Sequence, residues 1–600
     1  MESALTTSPS VIRRLADSSL ALPAILLLCL AAYLPGLFTA PPIDRDESRF
    51  AQASRQMFES VALPEAARDP SMHGGGLAIP YVQDRPRLNK PPLVYWLQVA
   101  SAAAWTGGKP LEDAIWMYRI PGMLCAIGAV AATWKLALSM AGRLAAFIAA
   151  GALAICPVVV LDAHQARADQ LLLLSVVLTQ WTLWRIVQGD PRWQTAVVFW
   201  IFVAMGVLSK GPITPLIAAL TALAWSFARR EWRWLWNLRP VLGVVIVAAV
   251  VAPWVYAVAA RIGWGTYWNT IWNETIGRSV EGKEGHWGPP GYHMLLVFFL
   301  LWPISLGIPG AFAAFVRDVR GHDGGWRERL RLASAARPRD AFLLAWIVPS
   351  WIVFEFVSTK LPHYTLPLYP ALCILTGAWL VEKSVSEARA PTGAFFHWTR
   401  LWFGTGFVVL TVIGVLALSL SWWETLGWWK STLKDDAAPS TNWFLVVPIT
   451  AMFVAMITSG RSLARMRIVE SLGLAGCALV IGFGLLLGAV APTALSLSTR
   501  VVRAMVPEGG RVPIVLVGYT EDSLIFLTRG RGSRAVVGGT AKPNRSEVVV
   551  ASESATLDPD IWSRATLLRG LNIAKGQCET VMVLKPLPLP PLKLEKVGTP

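Results

Sequence analysis

The chain has 600 residues, 54% of them hydrophobic and 15% charged, which is too apolar for a soluble domain of ordinary composition and places it in lipid. Its 54 Lys and Arg against 38 Asp and Glu leave a net charge of +16, but the arginines cluster in short loops between apolar runs. That is the positive-inside signature of a membrane protein rather than a nucleic-acid surface.

Taken in chain order, apolar runs of roughly 20 residues predict about 13 membrane spans. They lie near 21–40, 116–141, 143–161, 169–188, 193–209, 212–228, 240–260, 292–316, 341–359, 363–382, 401–422, 442–458 and 470–496. The first follows Arg13 and Arg14 as a signal peptide would, yet no small-residue cleavage site follows, and it reads as an uncleaved first helix. Pro91 to Trp105 is short, opens on two prolines and carries Tyr95, Trp96 and Trp105, as an interfacial helix does. With the N-terminus in the cytoplasm, alternation puts Arg229, Arg230, Arg233 and Arg239, then Arg317 to Arg339, then Arg461, Arg465 and Arg467 on the inside, as the charge rule requires. Odd parity puts the C-terminus outside. From 497 onward, runs such as Val512–Val517, Val548–Val550 and Val581–Leu584 alternate with turn signals, predicting a small α/β outer domain of about 100 residues. The expected division is therefore a membrane domain over 1–496, whose first outer loop is 41–115, and an outer domain over 497–600. The six cysteines have no paired or metal-like spacing, and no disulfide framework is expected.

On this topology the polar segments that can carry chemistry share the outer face. The first, IDRDESRFAQASRQM, holds Asp44, Asp46 and Glu47 just beyond span one, with Arg49 and Phe50 following in helical phase. It is either an acidic helix start or a base for an acceptor hydroxyl or amine. In QDRPRLNKPPLVYWLQ, Lys90 precedes two prolines and is held at headgroup level, as a snorkelling lysine or as a ligand for a lipid phosphate. In LDAHQARADQ, His164, Arg167 and Asp169 form an outer ion cluster or bind a polar substrate, and Asp169 also fits a helix cap. The loop 261–291 interleaves Glu274, Arg278, Lys283 and His286 with Trp264, Tyr267, Trp268, Trp272 and Trp287. That composition suits gripping sugar rings and phosphate, and equally an aromatic belt. In STKLPHYTLPLYP, Lys360, His363 and Tyr364 supply donors for an anionic phosphate. No Walker loop, dinucleotide fingerprint, zinc-ligand pair or nucleophile elbow occurs, which argues against soluble nucleotide chemistry.

These segments contain, in order, Asp46-Glu47-Ser48-Arg49-Phe50-Ala51, Lys90-Pro91-Pro92-Leu93, Arg119-Ile120-Pro121, Ala166-Arg167-Ala168-Asp169, Leu208-Ser209-Lys210-Gly211-Pro212 and Lys360-Leu361-Pro362-His363-Tyr364. The set resembles the polyprenyl-phosphate-sugar glycosyltransferases of the GT-C superfamily, in particular the protein O-mannosyltransferase and 4-amino-4-deoxy-L-arabinose transferase relatives of bacterial inner membranes. The resemblance implies a polytopic α-helical fold of GT-C type, with interfacial helices in the first periplasmic loop and a periplasmic C-terminal domain. It implies inverting transfer of a sugar from a polyprenyl (undecaprenyl) phosphate to a lipid A, glycan or protein acceptor at the periplasmic face. Asp46, with Glu47 beside it, is then the expected catalytic position. Lys90, Arg278, Tyr364 and Lys360 are expected at the donor phosphate, and Arg49, His286, His363 and Asp169 at the substrates. No obligatory cofactor and no metal ligands are expected, although the Asp46 and Glu47 carboxylates are a pair that can hold a divalent cation. Two departures stand out from the aminoarabinose pattern: Asn89 precedes Lys90 where that pattern has Glu, and Phe50 stands where Tyr is common. They leave sugar and acceptor open. The competing readings are a non-enzymatic flippase of lipid-linked sugars and an oligosaccharide polymerase or ligase. No internal repeat of the kind that builds transporters is apparent.

Overall fold

The computed structural model describes residues 11–43, 45–68, 73–273, 288–386, 394–425, 445–465, 467–495, 497–505, 514–530, 532–534, 548–552, 562–572, 575 and 577–586. Most of these residues are helical. Among the described residues, seven helices are long and apolar enough to cross a membrane, and an eighth crossing results if the bent pair Val11–Asp17 and Ala21–Tyr33, inclined by 115°, counts as one.

Most predicted spans are helices with ends shifted by a few residues, as in Trp193–Lys210, Ile213–Arg229 and Val446–Ala464. Three differ in an informative way. Spans 116–141 and 143–161 are one helical run, Ile115–Ala154, kinked at Gly142, whose φ of 79° and extended ψ break the helix without a loop. Span 292–316 is interrupted. The helix Tyr292–Leu300 stops before the cis Trp302–Pro303 bond, and the chain resumes helically only from Ile304. Span 363–382 starts later, at Tyr369, because Pro362 and Pro367 hold residues 361–368 in turns. That shift leaves His363 and Tyr364 in a turn at a helix mouth.

Two α-helices between residues 41 and 115 lie outside the predicted spans. Leu93–Thr106, within the segment expected to be interfacial, is a helix closed by Gly107 in the left-handed region. Arg45–Ala62 is polar in sequence, yet nearly every residue from Glu47 to Glu59 is buried. A buried polar helix survives only if each charge is partnered, and these partners come from three directions. The hairpin β1 (Tyr81–Val82) and β2 (Arg85–Pro86) covers one side, where Gln56 Nε2 donates to the Gln83 carbonyl at 2.9 Å and the Gln83 amide donates to Gln56 Oε1 at 2.7 Å.

Above this helix sits a five-stranded mixed sheet in the order β4-β3-β5-β7-β6, built from β3 (Ile514–Val517), β4 (Gly532–Arg534), β5 (Val548–Ser552), β6 (Trp562–Asn572) and β7 (Gln577–Pro586). β3 pairs parallel with β4 and β5, while β5, β7 and β6 run antiparallel. The three Val-rich runs of the sequence all became strands, and β6 adds a partner that they did not announce. Leu516, Val550, Leu568, Val581 and Val583 pack under the helices Leu497–Met505 and Asp522–Leu527.

Candidate active site

The first turn of the Arg45–Ala62 helix splits its two carboxylates. Successive helical residues point about 100° apart, so Asp46 faces an opening while Glu47 faces inward. Asp46 keeps 40% of its side-chain surface exposed, with Arg87 Nη2 at 3.7 Å from Oδ1. Burial pushes the Asp46 carboxyl up, but the charges of Arg167, Arg87, Lys90 and Arg49 outweigh it and hold the group below its usual value. Arg87 is itself locked. Its Nε donates to the Tyr95 hydroxyl at 3.0 Å, and its guanidinium lies 4.7 Å from the centre of the Phe50 ring, which stacks on Tyr95.

A second cluster borders this one. It is assembled from the turn 162–169, the end of Trp193–Lys210 and the turn before Tyr369. Lys210 Nζ donates to Asp169 Oδ1. Arg167 reaches Asp169 Oδ2 at 3.4 Å and Asp162 Oδ1 at 3.7 Å. Arg167 Nη2 also lies 2.8 Å from His363 Nε2. A guanidinium only donates, so His363 accepts there as a neutral imidazole. The Tyr364 ring carries Lys210 Nζ 5.5 Å from its centre. Burial and the adjacent Asp169 push the Asp162 carboxyl up to about 7, and Gln170 Nε2 donates to it at 3.1 Å. Arg167 belongs to both clusters, since its charge also acts on Asp46. The motif segments A-R-A-D, L-S-K-G-P and K-L-P-H-Y thus meet at one place beside the acidic helix.

Several expected site residues are engaged elsewhere. Glu47 is fully buried, receives Arg119 Nε at 2.6 Å and Nη2 at 3.1 Å, and accepts the Ile43 and Ala166 amides. Arg119 also donates to the Leu37, Ala40 and Pro41 carbonyls. Glu47 is therefore a clamp on the chain leaving span one, and its inward orientation removes the Asp46–Glu47 pair as a cation cradle. Lys360 is turned inward too. Its side chain is 2% exposed and its Nζ donates to the Glu355 main-chain carbonyl and reaches Oε2 at 3.3 Å, so its charge is turned to that glutamate. Arg49 donates from Nε to Asp522 Oδ2 at 2.8 Å and holds the upper domain. His164 is buried between the Val160 and Pro35 carbonyls, at 2.7 and 2.9 Å. Arg278 and His286, with Glu274 and Lys283, lie outside the described residues. The neighbouring helix Trp264–Trp272 exposes Trp264, Trp268 and Trp272 on one stripe and buries Tyr267, as an aromatic belt does.

The residues that sequence reading did not assign to the site are Arg87, Asp162 and Lys210. All three lie inside quoted segments, so their proximity to the site was legible. Their partners were not.

The upper domain is tied to the same helix by buried charges. Asp113, with no exposed side-chain surface, accepts Arg55 Nε at 2.6 Å, Arg529 Nη1 at 2.6 Å and the Tyr118 hydroxyl at 2.6 Å. Arg529 also reaches Glu59 at 2.8 Å, and Arg55 lies 3.8 Å from the Phe526 ring centre.

The chain is similar to several known proteins. Residues 89–256, from Asn89 through the Lys210 segment, match the family described as dolichyl-phosphate-mannose-protein mannosyltransferase. The undecaprenyl phosphate-alpha-4-amino-4-deoxy-L-arabinose arabinosyl transferase of Edwardsiella ictaluri is 25% identical over 60% of this chain, which spans 58% of that relative's length. The protein of the same name from Pseudomonas savastanoi pv. phaseolicola is 27% identical over 68% of this chain and 67% of its own. Among solved structures, ArnT from Cupriavidus metallidurans bound to undecaprenyl phosphate superposes with a TM-score of 0.65 at 18% identity, covering 94% of this chain and 97% of that one. The resemblance read from the motifs holds: this chain is similar to the GT-C polyprenyl-phosphate-sugar transferases and shares the fold of ArnT.

Proposed function

We propose that the chain is a membrane glycosyltransferase that moves a sugar from a polyprenyl phosphate, in the manner of undecaprenyl phosphate, to a lipid A, glycan or protein acceptor. The observation that carries the reading is Asp46, an exposed carboxylate kept ionised by a ring of cations at the mouth of a helical bundle. An ionised carboxylate flanked by fixed positive charge is what this reaction needs on its two sides. Asp46 takes the proton of the attacking hydroxyl or amine while the bond from the anomeric carbon to the phosphate oxygen breaks. Attack from the face opposite the phosphate inverts the anomeric centre. Negative charge accumulates on the leaving phosphate, and preorganised cations stabilise it most where water is scarce. Lys90 is the candidate for that contact, with the Tyr364 hydroxyl and Arg278 of the outer loop. Asp169 and His363 belong to the cluster that borders the substrates. A monophosphate leaving group stabilised by lysine and arginine requires no metal in this scheme.

The same reading supplies orientation. About 13 crossings with a cytoplasmic N-terminus put this cluster and the C-terminal sheet on the periplasmic side of a bacterial inner membrane. Residues 1–496 then form the membrane domain and 497–600 the periplasmic one.

The test is transfer of sugar from an undecaprenyl-phosphate-linked donor by the purified protein in detergent, with Asp46→Asn and Lys90→Ala beside the wild type. Asp46→Asn is expected to lower kcat at least about 100-fold, and Lys90→Ala to weaken donor use. Equal turnover in all three proteins would remove these residues from the mechanism. Movement of a labelled lipid across liposomes without product would replace transfer by transport.

A further inference from the structure

Glu355 sits near the end of the helix Pro338–Phe356, close to an apolar span, and nothing in the transfer scheme uses it. Its surroundings are nevertheless rich in donors. Oε2 accepts the Gly291 amide at 3.1 Å, and Oε1 accepts those of His293 and Met294 at 3.1 and 3.2 Å. Lys360 Nζ adds its bond to the Glu355 main-chain carbonyl and a contact with Oε2 at 3.3 Å. The carboxylate thereby joins the start of the helix Tyr292–Leu300 to the K-L-P-H-Y turn. A second tie runs parallel, with His293 Nε2 3.1 Å from the Leu361 carbonyl. The backbone closes on the same lysine: a Cβ added at Gly288 would stand 2.9 Å from Lys360 Cδ and 3.3 Å from its Cβ, so the chain at Gly288 packs directly on this side chain.

The consequence falls on the next residues of the turn. His363 and Tyr364 follow Lys360 by three and four residues, and they are the groups that meet Arg167 at 2.8 Å and Lys210 at 5.5 Å. We infer that Glu355 is a positioning residue for the active site, and that Lys360 serves as its counter-ion rather than as a ligand of the donor phosphate. This rests on the transferase reading above. Glu355 sets the height of the K-L-P-H-Y turn, the turn sets His363 and Tyr364, and these brace the Arg167 and Lys210 cations beside Asp46.

Two different outcomes separate a brace from a phosphate ligand. Replacing Glu355 by Gln keeps an amide oxygen for the backbone donors but leaves Lys360 as a buried, uncompensated cation, the costlier of the two defects. Replacing both residues removes that defect. Glu355→Gln is therefore expected to lower kcat/KM at least about tenfold, and Glu355→Gln with Lys360→Met to recover most of the loss. Lys360→Met alone should leave the donor KM within about twofold, because a brace adds no contact to the donor. Glu355→Asp, which keeps the charge, should fall between wild type and Gln. Hydrogen exchange at the amides of Tyr364, Leu366 and Leu368, which bond within the turn, provides a readout independent of turnover. Exchange should quicken in Glu355→Gln and slow again in the double variant. A double variant no better than Glu355→Gln, or a donor KM raised tenfold by Lys360→Met alone, overturns the inference. Absence of transfer by the wild type would instead sink the transferase reading, while the exchange measurement still decides the brace.

Discussion

Glu47 and Arg119 form a fully buried, two-pronged ion pair, with Nε to Oε1 at 2.6 Å and Nη2 to Oε2 at 3.1 Å, while the carboxylate one residue earlier faces an opening. The pair sews the turn after span one to the Ile115–Ala154 helix. Breaking such a pair from one side leaves a bare charge, at a cost of about 3–5 kcal/mol. Glu47→Gln and Arg119→Met are thus expected to lower the thermal midpoint sharply, and Asp46→Asn to keep it while losing turnover. A Glu47→Gln protein of normal midpoint and no activity would return Glu47 to the chemistry.

The cation ring predicts a pH profile. The folded-state pKa of Asp46 is depressed, so the group stays ionised below the ordinary Asp value of about 3.9. Its contribution to stability is present above the unfolded pKa and is lost as pH falls through the lower folded value. The acid limb of kcat/KM is expected to lie below the ordinary carboxylate range. Arg87→Gln, which removes one of the charges, should move that limb to higher pH. An unmoved limb would mean that Arg87 does not tune Asp46.

Arg529 is the pivot between the upper domain and the membrane part, since it holds both Asp113 and Glu59. Arg529→Met leaves two carboxylates short of a cation in a mostly buried setting and should cost ~3 kcal/mol. The measurement is the thermal midpoint together with limited proteolysis of the C-terminal sheet. Replacing Asp113 and Glu59 by Asn and Gln in the same protein should return part of the loss.

Gly36 carries a φ of 83°, and a Cβ there would stand 2.3 Å from the Leu487 carbonyl oxygen. Gly36→Ala is expected to destabilise by at least about 1–3 kcal/mol from backbone strain alone, with the contact adding more. A midpoint unchanged from wild type would show that the turn after span one does not pack against the π turn Leu486–Val490.

Hydropathy made the spans legible, because a helix in lipid must be apolar over its whole length and that property is additive along the sequence. The same reasoning marked Leu93–Thr106 as interfacial and three Val-rich runs as strands. Where a backbone break is local, as at Gly142 or Trp302–Pro303, it changed how the spans are divided without changing which residues are apolar. The motif segments were legible as well, and the structure brings several of them together.

The choice of partner was not legible. Asp46 and Glu47 are adjacent and chemically alike, but helical phase sends one to the opening and the other to Arg119, 72 positions away. Lys90 contributes to the field on Asp46, whereas Lys360 turns inward to a glutamate. Arg49 pairs with Asp522, 473 residues on. The sequence by itself determined a polytopic helical protein and the segments that carry its chemistry, since composition and hydrophobic period are properties of the chain. Tertiary structure alone decided which charges meet, because an ion pair depends on distance in space, and no spacing rule encodes contacts between residues hundreds of positions apart.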